Sequence, residues 1–199
     1  MAEPHHAEDA DYFAAGYCRG QLLVALPEIN DGPFHRTVVL VLDHDADGAL
    51  GVVLNRPLDA DVDDVLPGWA DVVTAPAALF EGGPVSTNSA LAVALLQPVV
   101  DDTPLGWRAM FGRVGLVDLD VPAATIAAAV AGMRVFAGYA GWGAGQLEAE
   151  IEDGSWAVVD ASDDDVVASQ PQDLWRDVLR RQAGDLRMLS TFPDDPMTN

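Results

Sequence analysis

The sequence predicts an α+β or mixed α/β fold, and three observations predict it. Short β-branched and aromatic runs outnumber helical stretches, the two kinds follow one another irregularly rather than in a repeating strand–helix–strand winding, and half of the 199 residues are hydrophobic, enough for a sizeable core. A count along the chain gives about seven or eight strands and three or four helices. No internal repeat and no linker-like shift in composition divides the chain. One globular domain is therefore expected over residues 17–190. It follows an acidic, loose N-terminal tail at 1–16 that carries His5 and His6, and precedes a fraying tail at 191–199.

Taken in order, Gln21 to Leu26 reads as a strand and Pro27 to Pro33 as a turn-rich loop. Thr37 to Leu42, a run of Val and Leu, reads as a strand buried on both faces. Asp43 to Gly48 has the composition of a hairpin loop before a third strand, Ala49 to Leu54. The loop also matches the front half of a calcium loop, D-x-D-x-D-G, but the twelfth position, where a bidentate Glu is required, is Leu54. Asn55-Arg56-Pro57 closes the strand, and Asp61 to Leu66 reads as a short helix stopped by Pro67. Ala78 to Glu81 and Leu91 to Leu96 are strands flanking a Gly82-Gly83-Pro84 turn. Arg108 to Leu119 is strand-rich and broken by Gly112 and Gly115. Pro122 suits the first position of a helix with Ile126, Val130 and Met133 on one stripe, ending near Gly132.

The rest is organised around Arg134 to Trp156. Val135, Phe136 and Tyr139 make Arg134 to Ala140 a strand, and Gly138, Gly141, Gly143 and Gly145 then read as a glycine-rich turn. A helix from Gln146 puts Leu147 and Ile151 on one face and ends at Gly154; a strand follows at Trp156 to Val159. After an acidic loop at Asp163 to Asp165, the last helix runs from Gln172 to Gln182, its apolar face formed by Leu174, Trp175, Val178 and Leu179.

Composition excludes whole classes of chemistry. The ten basic residues are all Arg, so lysine-dependent P-loop, Schiff-base and kinase chemistries are absent. A formal charge of −22 opposes phosphate backbones and anionic lipid, which argues against direct nucleic-acid or membrane binding. Cys18 is the only cysteine; it allows neither an intrachain disulfide nor a cysteine-based zinc site, and together with the lack of a leader-like or membrane-length apolar run it points to the cytoplasm. No nucleophile elbow, zinc-protease motif or dinucleotide fingerprint occurs, and no cofactor or metal is called for.

Several ordered segments together resemble the AlgH/YqgE family of bacterial proteins: Gly20-Gln21-Leu22, Phe34 to Val39, His44 with Gly48 to Gly51, Asn55-Arg56-Pro57, Glu81 to Val85, Gly138 to Trp142, Gly145 to Glu148 and Leu174-Trp175. The resemblance implies an α+β fold, a strongly twisted, bulged, mainly antiparallel sheet with flanking helices, in a bacterial cytoplasmic protein. It implies no established reaction. Asp43 stands where family members often carry Glu. Two functional readings follow. The first is a non-catalytic binding or regulatory module acting on a protein or small-ligand partner, with a cleft lined by His44, Asn55, Glu81, Gly82, Gly83, Trp142 and Gln146. The second is a small-molecule hydrolase using His44 with Asp43 or Glu81, since a histidine and a carboxylate are the minimum for acid–base work.

Overall fold

A computed structural model describes residues 17–100 and 102–192. The expected N-terminal tail, with its histidine pair, lies outside the described residues, as does the C-terminal tail beyond Phe192. Ten strands form a continuous sheet: β1 (Gln21–Ala25), β2 (Val38–Asp45), β3 (Gly48–Val53), β4 (Pro57–Asp61), β5 (Ala78–Glu81), β6 (Val85–Leu96), β7 (Trp107–Phe111), β8 (Val114–Val117), β9 (Val130–Gly143) and β10 (Trp156–Asp160). The main order is β10-β1-β2-β3-β9-β6-β8-β7, antiparallel throughout. β5 joins β9 in parallel and carries β4 on its outer side. Among the described residues five short helices flank the sheet: α1 (Val62–Val65), α2 (Gln146–Glu152), α3 (Asp163–Val166), α4 (Leu174–Arg180) and α5 (Gly184–Leu189). The fold is thus α+β with a mainly antiparallel, bulged sheet.

Strand alternation builds the cores. Leu22, Val24, Leu40, Val52 and Leu54 project to one face and pack with Phe80, Phe136 and the α4 residues Leu174, Trp175, Val178 and Leu179. Their neighbours Leu23, Val39, Val41 and Val53 project to the other face, where Cys18, Trp142, Leu147 and Trp156 cover them. The two-faced burial expected of the Val/Leu run at 37–42 follows from this sandwiching between α4 and α2. A third cluster, around Val62, Trp69, Ile126 and Met133, fills the region under α1.

Three expectations are corrected here. No helix runs from Pro122 to Gly132: only a 3-10 turn forms at Ala123–Thr125, and Val130 and Met133 belong to β9. The reason is the ladder with β6, which pairs Val130 with Leu96 and continues to Ala137 with Ala90, giving a long strand buried over much of its length that a three-turn helix with one apolar stripe does not match. Nor do Gly138, Gly141 and Gly143 form a turn. They lie inside β9, where Gly141 pairs with Leu50 and Gly143 with Gly48, and the turn is confined to Ala144 and Gly145. The last helix is likewise split into a 3-10 turn at Pro171–Asp173 followed by α4.

Gly138 marks the bend in β9. Its φ is +70° and the β6 register jumps beside it, from Val85 opposite Tyr139 to Ala90 opposite Ala137. An added Cβ would stand 2.6 Å from the Val85 carbonyl oxygen and 2.7 Å from that of Gly83. Only glycine satisfies both the left-handed backbone and the close approach.

Candidate functional site

His44 reaches its position through a bulge. Val41 pairs with Gly51 but Asp43 pairs with Leu50, so Leu42 is an extra residue in β2 and the alternation shifts by one. Without it His44 would follow Val38, Leu40 and Leu42 into the α4-covered core. With it, His44 sits opposite Ala49, which in turn pairs with Trp142, on the face covered by α2.

There the imidazole is fully buried and placed between two side chains. The Cys18 backbone N–H donates to Nδ1 at 3.1 Å, and the Cys18 Sγ lies 3.1 Å from the same nitrogen. On the other side Nε2 lies 3.3 Å from Glu148 Oε1, and the Tyr17 ring sits 5.0 Å away, tilted. An Nδ1 that accepts from an amide carries no proton of its own, so the ring proton is on Nε2, facing the carboxylate. Thiol, imidazole and carboxylate in line are the components of an activated nucleophile. The thiol's environment works the other way: burial, with a smaller contribution from the Glu148 charge, pushes its pKa up to about 11 against the lowering effect of its backbone hydrogen bond. Only 2% of Cys18 is exposed. A neutral, covered sulfur is a poor nucleophile.

The carboxylate partners anticipated for His44 are placed elsewhere. Asp43 Oδ1 accepts the backbone N–H of His44 at 3.1 Å, and the Glu81 backbone N–H is bonded to the Arg56 carbonyl; the ring's carboxylate neighbour is Glu148.

The remaining anticipated residues fall into separate bonded groups. Trp142 Nε1 and Trp156 Nε1 both donate to Glu150 Oε2, at 2.9 and 2.8 Å, and Gln146 Nε2 donates to Glu150 Oε1 at 2.9 Å. Phe34 completes this aromatic group by stacking on Trp142 and meeting Trp156 edge-on. Asn55 accepts the Val38 N–H and donates to the Arg36 carbonyl, both at 2.9 Å, which closes the entry to β2. Gly82 and Gly83 are buried against the β9 backbone, where a Cβ on Gly83 would stand 2.3 Å from the Tyr139 carbonyl carbon.

A different residue stands out energetically. Arg134 on β9 is 1% exposed, its guanidinium carbon lies 4.2 Å from the Phe80 ring centroid, and burial lowers its pKa to about 10. Nη2 donates to the Ala168 carbonyl, while Nε and Nη1 have no hydrogen-bond partner among the described residues. Ala168 lines an open cleft of about 480 Å³ together with Asp164, Asp165, Val167, Gln170, Leu174 and Asp177. A guanidinium held in the interior without a carboxylate is costly, by several kcal/mol in general. The cation–π contact with Phe80 offsets part of that.

Cys18, Glu148 and Arg134 were not singled out as site residues by the sequence. Cys18 and Glu148 lie 26 and 104 positions from His44, and Arg134 reads as the polar start of a strand. The one available signal was the absence of any nearby acid in sequence around Arg134, which stands in a run of small and apolar residues in a chain otherwise crowded with acids.

Among the described residues no helix is long and apolar enough to cross a membrane. Residues 22–187 match the model of the family described as AlgH-like. A UPF0301 protein of Streptomyces avermitilis is 54% identical over 182 residues, covering 90% of this chain and 94% of its own. One from Thermobifida fusca is 48% identical over 189 residues, with the same coverage. A crystal structure of a Corynebacterium diphtheriae protein superposes with a TM-score of 0.82 at 38% identity, covering 88% of this chain and 92% of that one. The solution structure of AlgH from Pseudomonas aeruginosa gives 0.65 at 25% identity, covering 98% and 100%. With its bulged antiparallel sheet and end-to-end match to these proteins, the chain belongs to the AlgH-like family.

Proposed function

We propose that this protein is a non-catalytic binding or regulatory module of the cytoplasm that acts through a protein or small-ligand partner, without direct contact to nucleic acid or membrane. The observation that carries the reading is Arg134, a buried guanidinium whose Nε and Nη1 have no hydrogen-bond partner among the described residues and whose Nη2 donates to Ala168, a residue that lines an open cleft. A cleft of this size can take a small ligand, and its lining is mixed, with Val167, Ala168 and Leu174 beside Asp164, Ser169, Gln170 and Asp177. The neutral, covered Cys18 supports the absence of thiol catalysis, and the charge of −22 supports the absence of nucleic-acid contact.

The test has two arms. Purified protein is assayed against chromogenic ester, phosphoester and amide substrates, and the same protein, passed through a native bacterial lysate and recovered, is weighed by native mass spectrometry. The reading expects no turnover above buffer and a bound ligand or partner near one per chain. Turnover that disappears in His44→Gln establishes the hydrolase instead, and a recovered chain that carries nothing contradicts the binding reading.

A further inference from the structure

Among the described residues β4, β7 and β10 each have a neighbouring strand on one side only. Such an edge presents backbone groups that another chain can pair with, and folds blunt it with proline, charge or a bulge. β4 is blunted by Pro57, by the exposed Asp59 and Asp61, and by a register shift between Pro57 and Asp61. β7 is bulged between Ala109 and Phe111, exposes Arg108, and has its Met110 carbonyl taken by Arg19. β10 carries none of these devices along its length. Its five residues pair with β1 in unbroken register, and its only charge is the terminal Asp160.

The ladder fixes which groups of β10 face outward. The Leu26 N–H donates to the Ser155 carbonyl at 2.9 Å, so by antiparallel alternation Ala157 and Val159 turn their backbone groups to β1, while Trp156, Val158 and Asp160 turn theirs away. In keeping with that direction, the Asp160 carbonyl accepts from Arg181 Nη2 at 3.1 Å. The N–H and C=O of Trp156 and Val158 have no partner among the described residues, and on a sheet edge such groups are satisfied by water. The Val158 side chain is half-buried at this edge, on the face covered by α2.

The surroundings decide the occupant. Glu152 and Asp153 are exposed just before β10 and Asp160 at its end, with no cation between them. A second copy would bring the same acids and a like net charge of −22 to this edge, which opposes pairing. An extended segment with an apolar centre and basic ends is matched along its whole length, its centre by Val158 and its ends by the acids. We propose that β10 is a docking edge for an extended, basic-ended segment of another protein, added to the sheet as a further strand. The inference rests on the sheet edge and not on the cleft, so the reading above stands or falls separately.

The experiment follows the exchange of individual backbone amides of the full chain by NMR. The probe is a capped peptide of alternating Val and Thr with an Arg at each end; a control of equal length and charge replaces the central residues by Pro, which lacks the N–H donors. In the free protein the Trp156 and Val158 amides are expected to exchange fast beside protected Ala157 and Val159. The probe is expected to slow Trp156 and Val158 by about 10-fold or more, and the control to leave them unchanged. Val158→Pro, which removes an outward N–H and keeps the β1 ladder, is expected to weaken probe binding by about 10-fold. Equal binding of probe and control would mean diffuse attraction of cations to an acidic chain and overturns the proposal, as does a probe that protects neither amide. Protection of both amides in the free protein overturns it as well; where that protein runs as a dimer, the edge belongs to a second copy.

Discussion

Glu148 Oε1 lies 3.3 Å from Nε2 of His44, joining a carboxylate whose side chain is 38% exposed to an imidazole that is fully buried. The two residues are on α2 and β2, and they meet because the Leu42 bulge turns His44 toward the helix. Glu150 lies two residues further along α2, on the opposite flank of the buried Leu147, and its carboxylate gathers two indoles. Together these contacts make α2 a polar clamp on an otherwise apolar core.

Replacing Glu150 by Ala leaves the Trp142 and Trp156 indole N–H groups without their acceptor and is expected to cost about 2 kcal/mol or more. Asn55→Ala, which removes a two-bond bridge at the β2 entry, is expected to cost about 1–2 kcal/mol. Gln146→Ala is expected to stay within about 0.5 kcal/mol, since the side chain is exposed. Urea unfolding followed by tryptophan fluorescence ranks the three. A Gln146 variant as damaging as the Glu150 one would refute the clamp.

Gly138→Ala is expected to destabilise by about 2 kcal/mol or more, because it adds a left-handed strain to a close contact with two carbonyl oxygens. Gly145→Ala, with the same sign of φ but nothing within 4 Å of the added Cβ, isolates the strain from the contact. Equal melting temperatures for the two variants would show that crowding at the β9 bend contributes nothing.

Alkaline pH gives a third check. Cys18 holds its proton more tightly folded, with a pKa of about 11, than at its ordinary value of 9.0. A raised pKa contributes stability that is complete below the unfolded value and lost as pH climbs toward the folded one. Arg134, lowered to about 10, titrates in the opposite sense and begins to do so within the same range, so the thiol is isolated by comparison with Cys18→Ala, which retains Arg134. Wild-type stability is expected to fall more steeply between pH 9 and 10 than that of Cys18→Ala. Parallel slopes would mean that the folded thiol titrates normally.

Much of this architecture was legible along the chain. Ala78 to Glu81 stands as expected, and Gln21, Thr37 and Trp156 open or adjoin strands because their runs are apolar and bounded by turns. The stripe Ile126, Val130, Met133 misled because helical spacing says nothing about an available partner strand, and β6 supplied one. The glycines at 138, 141 and 143 looked like a turn for the same reason: all three lie inside β9, and the close approach that requires Gly138 depends on the neighbouring strand. The surroundings of His44 were hidden more deeply. A single bulge residue inside a Val/Leu run leaves no mark in composition, yet it decides which face the histidine takes and therefore that Glu148, rather than Asp43 or Glu81, meets its ring.

The central claim is that Cys18, although aligned with His44 and Glu148, is an interior thiol and not a nucleophile. The most direct measurement is the rate at which iodoacetamide alkylates it in the native protein at neutral pH, compared with the same chain unfolded in urea. Burial and a pKa near 11 predict native alkylation slower by about 100-fold or more, limited by opening of the structure. A native rate equal to or faster than that of the unfolded chain would contradict the claim and make Cys18, His44 and Glu148 an active thiol centre.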